Sequence, residues 1–255
     1  MAHGLELKLL GMVYAVIALL VLAYLFRKGK FDKRVGFLFL ILSTFLGFWI
    51  FAPMMPHQLQ LLVLGKVGGR GSPLPMVVAG LLLFIVFTLV FGRLFCGFIC
   101  PVGTIQELAY KIPARKLRIS NKTLQFIFQL IFFIAFIVLG VAFSIAILSY
   151  LGFEDFFHVN TKSPFFYVFV ALLLASVFIY RPFCRFFCPY GLLLALAAIK
   201  SVFKLRRNDK CNECSKCEEA CPTGEAGGDD LKRECYLCNR CKEVCTEDAI
   251  DYLRK

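Results

Sequence analysis

Cysteine spacing near the C-terminus constrains this chain more than any other feature. Two runs, residues 211–221 and 235–245, share the pattern C-x2-C-x2-C-x3-C. Three thiolates two residues apart can wrap one face of a [4Fe-4S] cubane, and the fourth cysteine of such a run ligates the cluster of the other run. The pattern predicts two cubanes, the first held by Cys211, Cys214, Cys217 and Cys245 and the second by Cys235, Cys238, Cys241 and Cys221.

Zinc binding and disulfide bonding are the alternatives for these eight cysteines. Structural zinc sites prefer two separated C-x2-C pairs to three cysteines in one tight run. Disulfides form in oxidising compartments, whereas the basic residues described below place this end of the chain in the cytoplasm. Both alternatives fit the spacing less well than two cubanes do.

The rest of the chain is too apolar for an ordinary soluble domain. Hydrophobic residues make up 59% of the 255 residues, against about 45–50% in soluble proteins. Five apolar runs approach the ~20 residues that cross a bilayer, and they cover residues 7–26, 35–52, 74–95, 124–150 and 164–183. We predict an all-α polytopic membrane bundle of about five spans over residues 1–207, followed by a small two-[4Fe-4S] ferredoxin domain over residues 208–255. Two shorter apolar stretches, 102–112 and 190–203, are expected to be re-entrant or interfacial helices.

Charge is distributed unevenly along the chain. Residues 208–255 hold 12 of the 17 acidic residues and are net negative, so the net positive charge of the chain comes entirely from the membrane part. Its basic residues lie in short clusters between apolar runs, which indicates membrane topology rather than nucleic-acid binding. One set of loops carries 17 Lys and Arg residues, and the opposite set only Lys66, Arg70 and Lys162. The positive-inside rule predicts a multi-pass cytoplasmic-membrane protein with a cytoplasmic ferredoxin domain and the N-terminus outside.

An internal repeat lies within the apolar part. In residues 93–103 and 181–191, Arg, Phe, Cys, Phe, Cys, Pro and Gly recur in register around a C-x3-C-P motif. Because a proline disfavours helical geometry in the residue before it and suits the first turn of a helix, each span should end at the second cysteine and a short helix should begin at the proline. Parallel repeats of this kind place a site at the interface between the halves. The thiols expected there are Cys96, Cys100, Cys184 and Cys188.

Three chemistries are open to these four cysteines. They could bind a third metal centre, form two redox-active dithiols, or hold a soft metal such as Cu(I) or Zn(II) transiently. The twelve cysteines divide into three sets of four, which favours the third centre. Arg93 and Arg181 could offset the charge of an anionic cluster, or they could anchor the helix ends to lipid headgroups.

Other polar residues are weaker candidates. His57, His158 and Glu154 in the outer loops could accept protons at an outward-facing quinol site, and Glu107 could do so near the inner surface. Solvated loop residues are the simpler interpretation of the outer three. Three residues of an outer loop could also contact copper: Met54, Met55 and His57.

With spans, paired C-x3-C-P motifs and a two-cubane tail together, the chain from about residue 74 to its end resembles the NapH/NosR-type membrane-bound [4Fe-4S] ferredoxins. The CcoG/RdxA-type proteins are a related branch. The resemblance implies a quinol dehydrogenase or electron conduit with two [4Fe-4S] clusters on the eight tail cysteines. It also implies that the four C-x3-C-P cysteines matter for redox function.

The sequence therefore predicts an integral-membrane iron–sulfur subunit, of quinol dehydrogenase type, that passes electrons between the quinone pool and a partner redox protein. Membrane lipid, quinone and other subunits of a redox complex are its expected partners, and nucleic acid is not. The alternative is a copper or metal reductase, or an assembly factor for a respiratory enzyme, that uses the C-x3-C-P cysteines. A membrane sensor with labile clusters is a third hypothesis, and no DNA-binding or nucleotide-binding motif supports it.

The predicted topology can be tested with two reporters fused after residue 255. Because the basic loops hold the tail in the cytoplasm, a green fluorescent protein fusion should fluoresce and an alkaline phosphatase fusion should be inactive. An active phosphatase at this position would contradict the orientation.

Overall fold

The computed structural model of this protein describes residues 2–51, 54–66, 73–119, 121–228 and 230–254, with side chains from residue 9 onward. Ala52, where the second predicted span ends, and Arg70, one of the three basic residues of the predicted outer loops, lie outside the described residues. Helices dominate what is described. Only one small sheet forms within that part of the chain.

The described residues form twelve α-helices, two π-helical turns and two strands. The α-helices are α1 (Ala2–Arg27), α2 (Lys33–Ile50), α3 (Met55–Val63), α4 (Leu74–Phe91), α5 (Pro101–Tyr110), α6 (Lys122–Phe143), α7 (Ile147–Tyr150), α8 (Phe153–Phe157), α9 (Pro164–Phe178), α10 (Pro189–Ile199), α11 (Lys216–Ala220) and α12 (Arg240–Glu243). The π-helical turns are Phe95–Ile99 and Phe183–Phe187, and the strands are β1 (Phe203–Arg207) and β2 (Ile250–Arg254).

Four helices are long and apolar enough to cross a membrane: α1 from Leu9, α2, α4 and α6. Their outward faces carry exposed large apolar side chains, of which Leu38, Trp49 and Val141 are more than 60% exposed. Lipid tails cover such surfaces at no cost, whereas water does not. The chain is a membrane protein, and the predicted helical membrane bundle is confirmed.

The fifth predicted span is shorter than expected. α9 has 15 residues, fewer than the ~20 of a full span, because the backbone becomes extended at Ile179 and residues 117 and 179 form a parallel β-bridge. The fourth predicted span ends early as well, since Ser144 adopts a left-handed φ of 53° after α6. About five predicted spans therefore become four full-length helices and one short helix.

Each repeat consists of an apolar helix, a π-helical turn and a short helix. The chain is extended at Cys100 and at Cys188, and a proline occupies the first turn of α5 and of α10. This confirms the helix start predicted from the C-x3-C-P motif. The predicted span ends at the second cysteine are wrong, because α4 ends at Phe91 and α9 at Phe178, before the π-helical turns. The short helices exchange partners, because α5 of the first repeat packs on α9 of the second and α10 of the second packs on α4 of the first.

The two ends of the bundle differ. We call the end that carries residues 208–255 the tail side. α2 runs from Lys33, whose ammonium lies 3.3 Å from the Glu243 carboxylate on the tail side, to Ile50 at the opposite end. There α3, α7 and α8 close the bundle, and Gln60 of α3 accepts a hydrogen bond from the Leu148 amide at 2.8 Å.

The tail docks on the membrane part through a two-stranded sheet. β1 and β2 pair antiparallel, with Phe203 opposite Arg254, so the sheet joins residues from both sides of the predicted boundary at 207/208. The Tyr252 hydroxyl of β2 donates to the Phe91 carbonyl at the end of α4, at 2.7 Å. The cysteine-rich segment is thereby fixed against the repeats.

Close packing of α2 on α5 leads to a stability prediction for Gly47. A Cβ at this position would lie 2.4 Å from the Pro101 Cβ, while a Cβ at Gly80 of α4 would meet only the flexible end of Met12, at 3.0 Å. Because overpacking costs about 1–3 kcal/mol, Gly47→Ala should lower the thermal unfolding midpoint in detergent and Gly80→Ala should leave it nearly unchanged. Equal midpoints for the two variants would contradict this packing.

Candidate iron–sulfur centres

The two cysteine runs of the tail share one backbone geometry. The residues on either side of Cys214, Glu213 and Ser215, have φ of 56° and 58°. Their counterparts around the second cysteine of the other run, Leu237 and Asn239, have φ of 55° and 66°. These left-handed residues turn each loop back on itself before a short helix, α11 or α12, begins. Each run therefore curls around a centre of its own.

Each of two cavities in the tail is lined by one predicted set of four cysteines. One cavity is lined by Cys211, Cys214, Cys217 and Cys245. The other is lined by Cys221, Cys235, Cys238 and Cys241. Three cysteines of each set come from one run and the fourth comes from the other. This donor set and this exchange suit a pair of [4Fe-4S] clusters.

In the described part of the chain, no three His, Cys, Asp or Glu side chains converge closely enough to hold a single metal ion. Four sulfurs around one zinc would each lie about 2.3 Å from it. A cubane binds its four thiolates through four separate irons, so its ligands stand farther apart.

Hydrogen bonds to sulfur reach both sets. Such bonds stabilise the thiolate form and tune the reduction potential of a bound cluster. The Glu225 amide donates to Cys221 Sγ at 3.3 Å, and the Ala249 amide donates to Cys245 Sγ at 3.3 Å. The Arg207 guanidinium donates to Cys217 Sγ at 3.4 Å.

Burial of the second cysteine set favours the protonated form of its thiols. Burial, and then the neighbouring Cys241 thiol, raises the pKa of Cys235. Burial and the Cys238 thiol raise the pKa of Cys241 to about 12. Thiols in such surroundings lose their protons when a metal takes them, so metal binding here would release protons.

The four cysteines of the repeats meet inside the membrane part. Cys96 and Cys184 lie in the two π-helical turns, while Cys100 and Cys188 directly precede α5 and α10. All four are buried, with 5–7% of each residue exposed. Cys100 and Cys188 are within electrostatic range of the other two thiols. π-Helical turns are rare and frequently mark functional sites.

Positive charge surrounds these thiols. The N-termini of α5 and α10, which carry partial positive charge, begin at the residues after Cys100 and Cys188. Arg93 and Arg181 are within electrostatic range of both Cys96 and Cys184. This environment stabilises an anionic thiolate cluster, so the donor set fits a third iron–sulfur centre.

Hydrogen bonds also reach two of these sulfurs. The Gly191 amide donates to Cys188 Sγ at 3.2 Å, and the Gln106 side-chain amide donates to Cys184 Sγ at 3.4 Å. Gln106 belongs to the first repeat and Cys184 to the second. The contact therefore crosses the interface between the repeats.

Arg93 and Arg181 are buried residues that lock the repeats together. Their side chains are at most 1% exposed, so the headgroup-anchor alternative is wrong. Arg93 donates to the Gly191 carbonyl of the second repeat at 3.2 Å. Arg181 donates to the Gly97 carbonyl of the first repeat at 2.7 Å. Each arginine thus reaches into the other half.

Glutamates compensate both buried cations. Arg93 pairs with Glu234 of the tail at 2.8 Å, and Arg181 pairs with Glu107 of α5 at 2.9 Å. Glu107 also accepts a hydrogen bond from Arg240 of the tail. Glu107 therefore lies at the junction of both repeats and the tail.

Tyr236 connects the second tail set with the repeat cysteines. Its ring centroid lies 4.3 Å from the Arg93 guanidinium carbon and 4.8 Å from that of Arg181. Its hydroxyl donates to Glu234 at 2.9 Å. A Cβ at Gly97 would lie only 2.5 Å from the Tyr236 carbonyl oxygen. Because Tyr236 directly follows Cys235, the loop of the second tail set contacts the first π-helical turn.

Sequence reasoning named Glu107 and the two arginines but missed four residues at this junction. None of them belongs to a motif that residue spacing reveals: they are Gln106, Glu234, Tyr236 and Arg240. The only available signal was position, because Glu234 and Tyr236 flank Cys235. A single sequence does not show which membrane residues they face.

The outer-loop candidates form a separate group at the end opposite the tail. His57 Nδ1 lies 3.6 Å from a Glu154 carboxylate oxygen, and His158 Nδ1 lies 2.8 Å from the Glu154 carbonyl oxygen. Met54 and Met55, the other proposed copper contacts, are buried in the core. The structure thus brings both outer loops together, away from the tail.

Comparison with known proteins identifies relatives by sequence similarity. A family profile described as "4Fe-4S binding domain" matches residues 73–120 and 164–208, the two segments that contain the C-x3-C-P repeats. The uncharacterized protein MJ0750 of Methanocaldococcus jannaschii is 31% identical, over 69% of this chain and 78% of the relative.

Two relatives from Escherichia coli K12 carry descriptive names. The putative electron transport protein YccM is 34% identical, over 68% of this chain and 55% of its own length. The ferredoxin-type protein NapH is 23% identical, over 77% of this chain and 74% of its own length. No solved structure matches the chain significantly.

The buried pair of Arg93 and Glu234 generates the next prediction. Glu234→Gln leaves a buried guanidinium without its counter-charge, which costs about 3–5 kcal/mol. The matched control, Glu218→Gln, breaks the pair between Arg207 and a glutamate side chain that is 47% exposed, worth about 0–1 kcal/mol. We expect limited proteolysis in detergent to cleave the first variant much faster than the second. Equal cleavage rates would contradict a structural role for the buried pair.

Proposed function

The chain belongs to the family of NapH/NosR-type membrane-bound [4Fe-4S] ferredoxins, and from this premise we propose that it passes electrons between the quinone pool and a partner redox protein. The observation that carries the proposal is the contact between Tyr236 and Gly97. It joins the cysteine sets of the tail to the cysteine set of the membrane part. Relatives named as an electron transport protein and a ferredoxin-type protein support it.

The proposed ligands are the three sets of four cysteines. In the tail, Cys211, Cys214, Cys217 and Cys245 would hold one [4Fe-4S] cluster, and Cys235, Cys238, Cys241 and Cys221 would hold the second. A third cluster would be held by Cys96, Cys100, Cys184 and Cys188. When bound, such clusters supply one-electron transfer at potentials set by charge, hydrogen bonds and exposure.

The surrounding residues would set those potentials. Arg93 and Arg181 lie between the repeat thiols and the Tyr236 loop, where their positive charge favours the more negative, reduced form of any cluster on either side. The repeat thiols are buried from water. This burial acts in the opposite direction, because it disfavours the added negative charge of a reduced cluster. The two arginines would therefore keep a membrane-embedded centre reducible.

The first tail set provides the exit toward a partner. Cys214 is exposed, whereas the four repeat cysteines are buried. Electrons would then travel between the membrane part and an exposed tail through the second set. We propose that the tail faces the cytoplasm, as the distribution of basic loop residues predicts, and that another subunit of a redox complex docks there.

Iron and acid-labile sulfide per chain test the ligand sets. We expect about twelve irons in anaerobically purified protein, three clusters of four, and about eight in the double variant Cys96→Ser with Cys184→Ser. Ala195→Ser, a hydroxyl added in buried α10, is the control and should keep all twelve. About eight irons in the unaltered protein would refute the third cluster and favour the dithiol or copper alternatives for the repeat cysteines.

The quinone role has its own test. Anaerobic addition of decylubiquinol or menadiol to the purified protein should bleach the visible iron–sulfur absorption and produce the EPR signal of reduced clusters, because electrons enter from the quinol. Dithionite is the control that shows the clusters to be reducible. Reduction by dithionite but by neither quinol, alone or with the partner subunit, would contradict the quinone role.

A further inference from the structure

A cleft between the tail and the membrane part has no assigned occupant. It has a volume of about 310 Å³ and lies where the N-terminus of α6 meets a loop of the tail. Lys122 and Thr123 of α6 line one side, and Glu225 and Arg233 of the tail line the other. We propose that this cleft binds the headgroup of a phospholipid that carries a primary ammonium, as phosphatidylethanolamine does.

Charges of both signs line the cleft. Lys122 and Arg233 supply two cations, and Glu225 and Asp230 supply two carboxyl groups. Such a lining has no net charge with which to attract a simple anion or a simple cation. A ligand that carries both a phosphate and an ammonium matches it, because each charged end meets an opposite charge.

One of the two cations is already paired and the other is not. The Lys122 ammonium lies 2.6 Å from an Asp230 carboxylate oxygen. Arg233 forms no ion pair within the described residues. Its Nη2 donates to the Lys122 carbonyl at 3.1 Å, and its buried Nε has no hydrogen-bond partner in that part of the chain. The Arg233 guanidinium is therefore the cation available to a phosphate.

Glu225 supplies the complementary acceptor. The residue is 4% exposed, and its Oε2 accepts no hydrogen bond within the described residues. Because buried polar groups in native structures are nearly always paired, this oxygen indicates a ligand that brings an N–H donor. A primary ammonium carries three such donors, whereas the trimethylated ammonium of phosphatidylcholine carries none.

The tail side of the cleft is held in place by hydrogen bonds. The Asp230 carboxylate accepts from the Gly227 amide at 2.7 Å. The Lys232 ammonium donates to the carbonyl groups of Glu225 and Gly227 at 2.6 and 2.7 Å. The loop is therefore ordered without a ligand, which lowers the conformational cost of binding one.

The position of the cleft favours a lipid over a soluble ligand. α6 is long and apolar enough to cross a membrane, and its N-terminus adds partial positive charge for a phosphate. Thr123 shares a helix face with a stripe of exposed apolar residues that starts one turn later. The stripe, in which each residue is at least 46% exposed, consists of Ile127, Ile131, Ile134, Val138 and Val141. An acyl chain can lie along it while the headgroup occupies the cleft.

Native mass spectrometry tests the site on the unaltered holoprotein. The delipidated protein in detergent is titrated with palmitoyl-oleoyl phosphatidylethanolamine, phosphatidylcholine or phosphatidylglycerol, which differ only in headgroup. We expect phosphatidylethanolamine to bind about tenfold more tightly than phosphatidylcholine, because only its ammonium can donate to Glu225. Equal affinities for these two lipids would overturn the proposal. A preference for phosphatidylglycerol would identify an anion site instead and would also overturn it.

Glycerophosphoethanolamine distinguishes a lipid from a soluble ligand. It carries the same headgroup without acyl chains, so it should displace bound phosphatidylethanolamine only at far higher concentration, since buried methylene groups contribute to lipid affinity. Displacement at the concentration of the lipid itself would overturn the assignment to a lipid.

Two variants separate the two ends of the headgroup. Arg233→Gln removes the partner of the phosphate and should weaken all three lipids by about tenfold. Glu225→Gln removes the charge that the ammonium meets and should lower the affinity for phosphatidylethanolamine to that for phosphatidylcholine. The matched controls, Arg115→Gln and Glu219→Gln, change exposed residues that do not line the cleft and should bind normally. Unchanged affinities in either cleft variant would show the assigned contacts to be wrong.

Iron per chain shows whether the variants keep an intact tail. Glu225→Gln changes the side chain only, so the hydrogen bond from the backbone amide to Cys221 Sγ and the iron content should both be retained. If this variant loses iron, the comparison of headgroups on the unaltered holoprotein decides the proposal by itself.

Discussion

Compensation of two buried guanidinium groups is the constraint on which the rest of this structure depends. An unpaired charge within a membrane protein costs several kcal/mol or more, so Arg93 and Arg181 require acceptors and anions at fixed positions. The acceptors are carbonyl groups of the opposite repeat, and the anions are Glu234 and Glu107. One set of interactions therefore fixes the repeats to each other and the tail to both.

This arrangement explains why the repeats exchange partners. Each arginine precedes a π-helical turn, and Cys100 or Cys188 directly follows that turn. A short helix begins after the cysteine and packs on the other repeat. The two helix N-termini then converge on the four thiols, adding positive potential without another cation. A thiolate cluster at this point would be attracted by the same two arginines, so ligand binding and repeat assembly would favour each other.

Sequence patterns predicted features that depend on spacing. Cysteine spacing predicted the two sets that line the tail cavities, and proline position predicted where α5 and α10 begin. Span lengths were less accurate, because Ser144 and Ile179 leave helical geometry for reasons of tertiary packing that hydropathy does not record. Glu234, Tyr236 and Arg240 could not be found, since pairing across more than a hundred residues depends on how the tail docks.

Docking of the tail also determines where electrons would pass between the membrane part and the tail. At the end opposite the tail, His57 and Glu154 offer a proton acceptor, but every tail cysteine lies at the other end of the bundle. Electron transfer needs a short path, and on the tail side the loop of Tyr236 contacts the first π-helical turn, which carries Cys96. The interactions that hold the two arginines would thus also form the entrance for electrons.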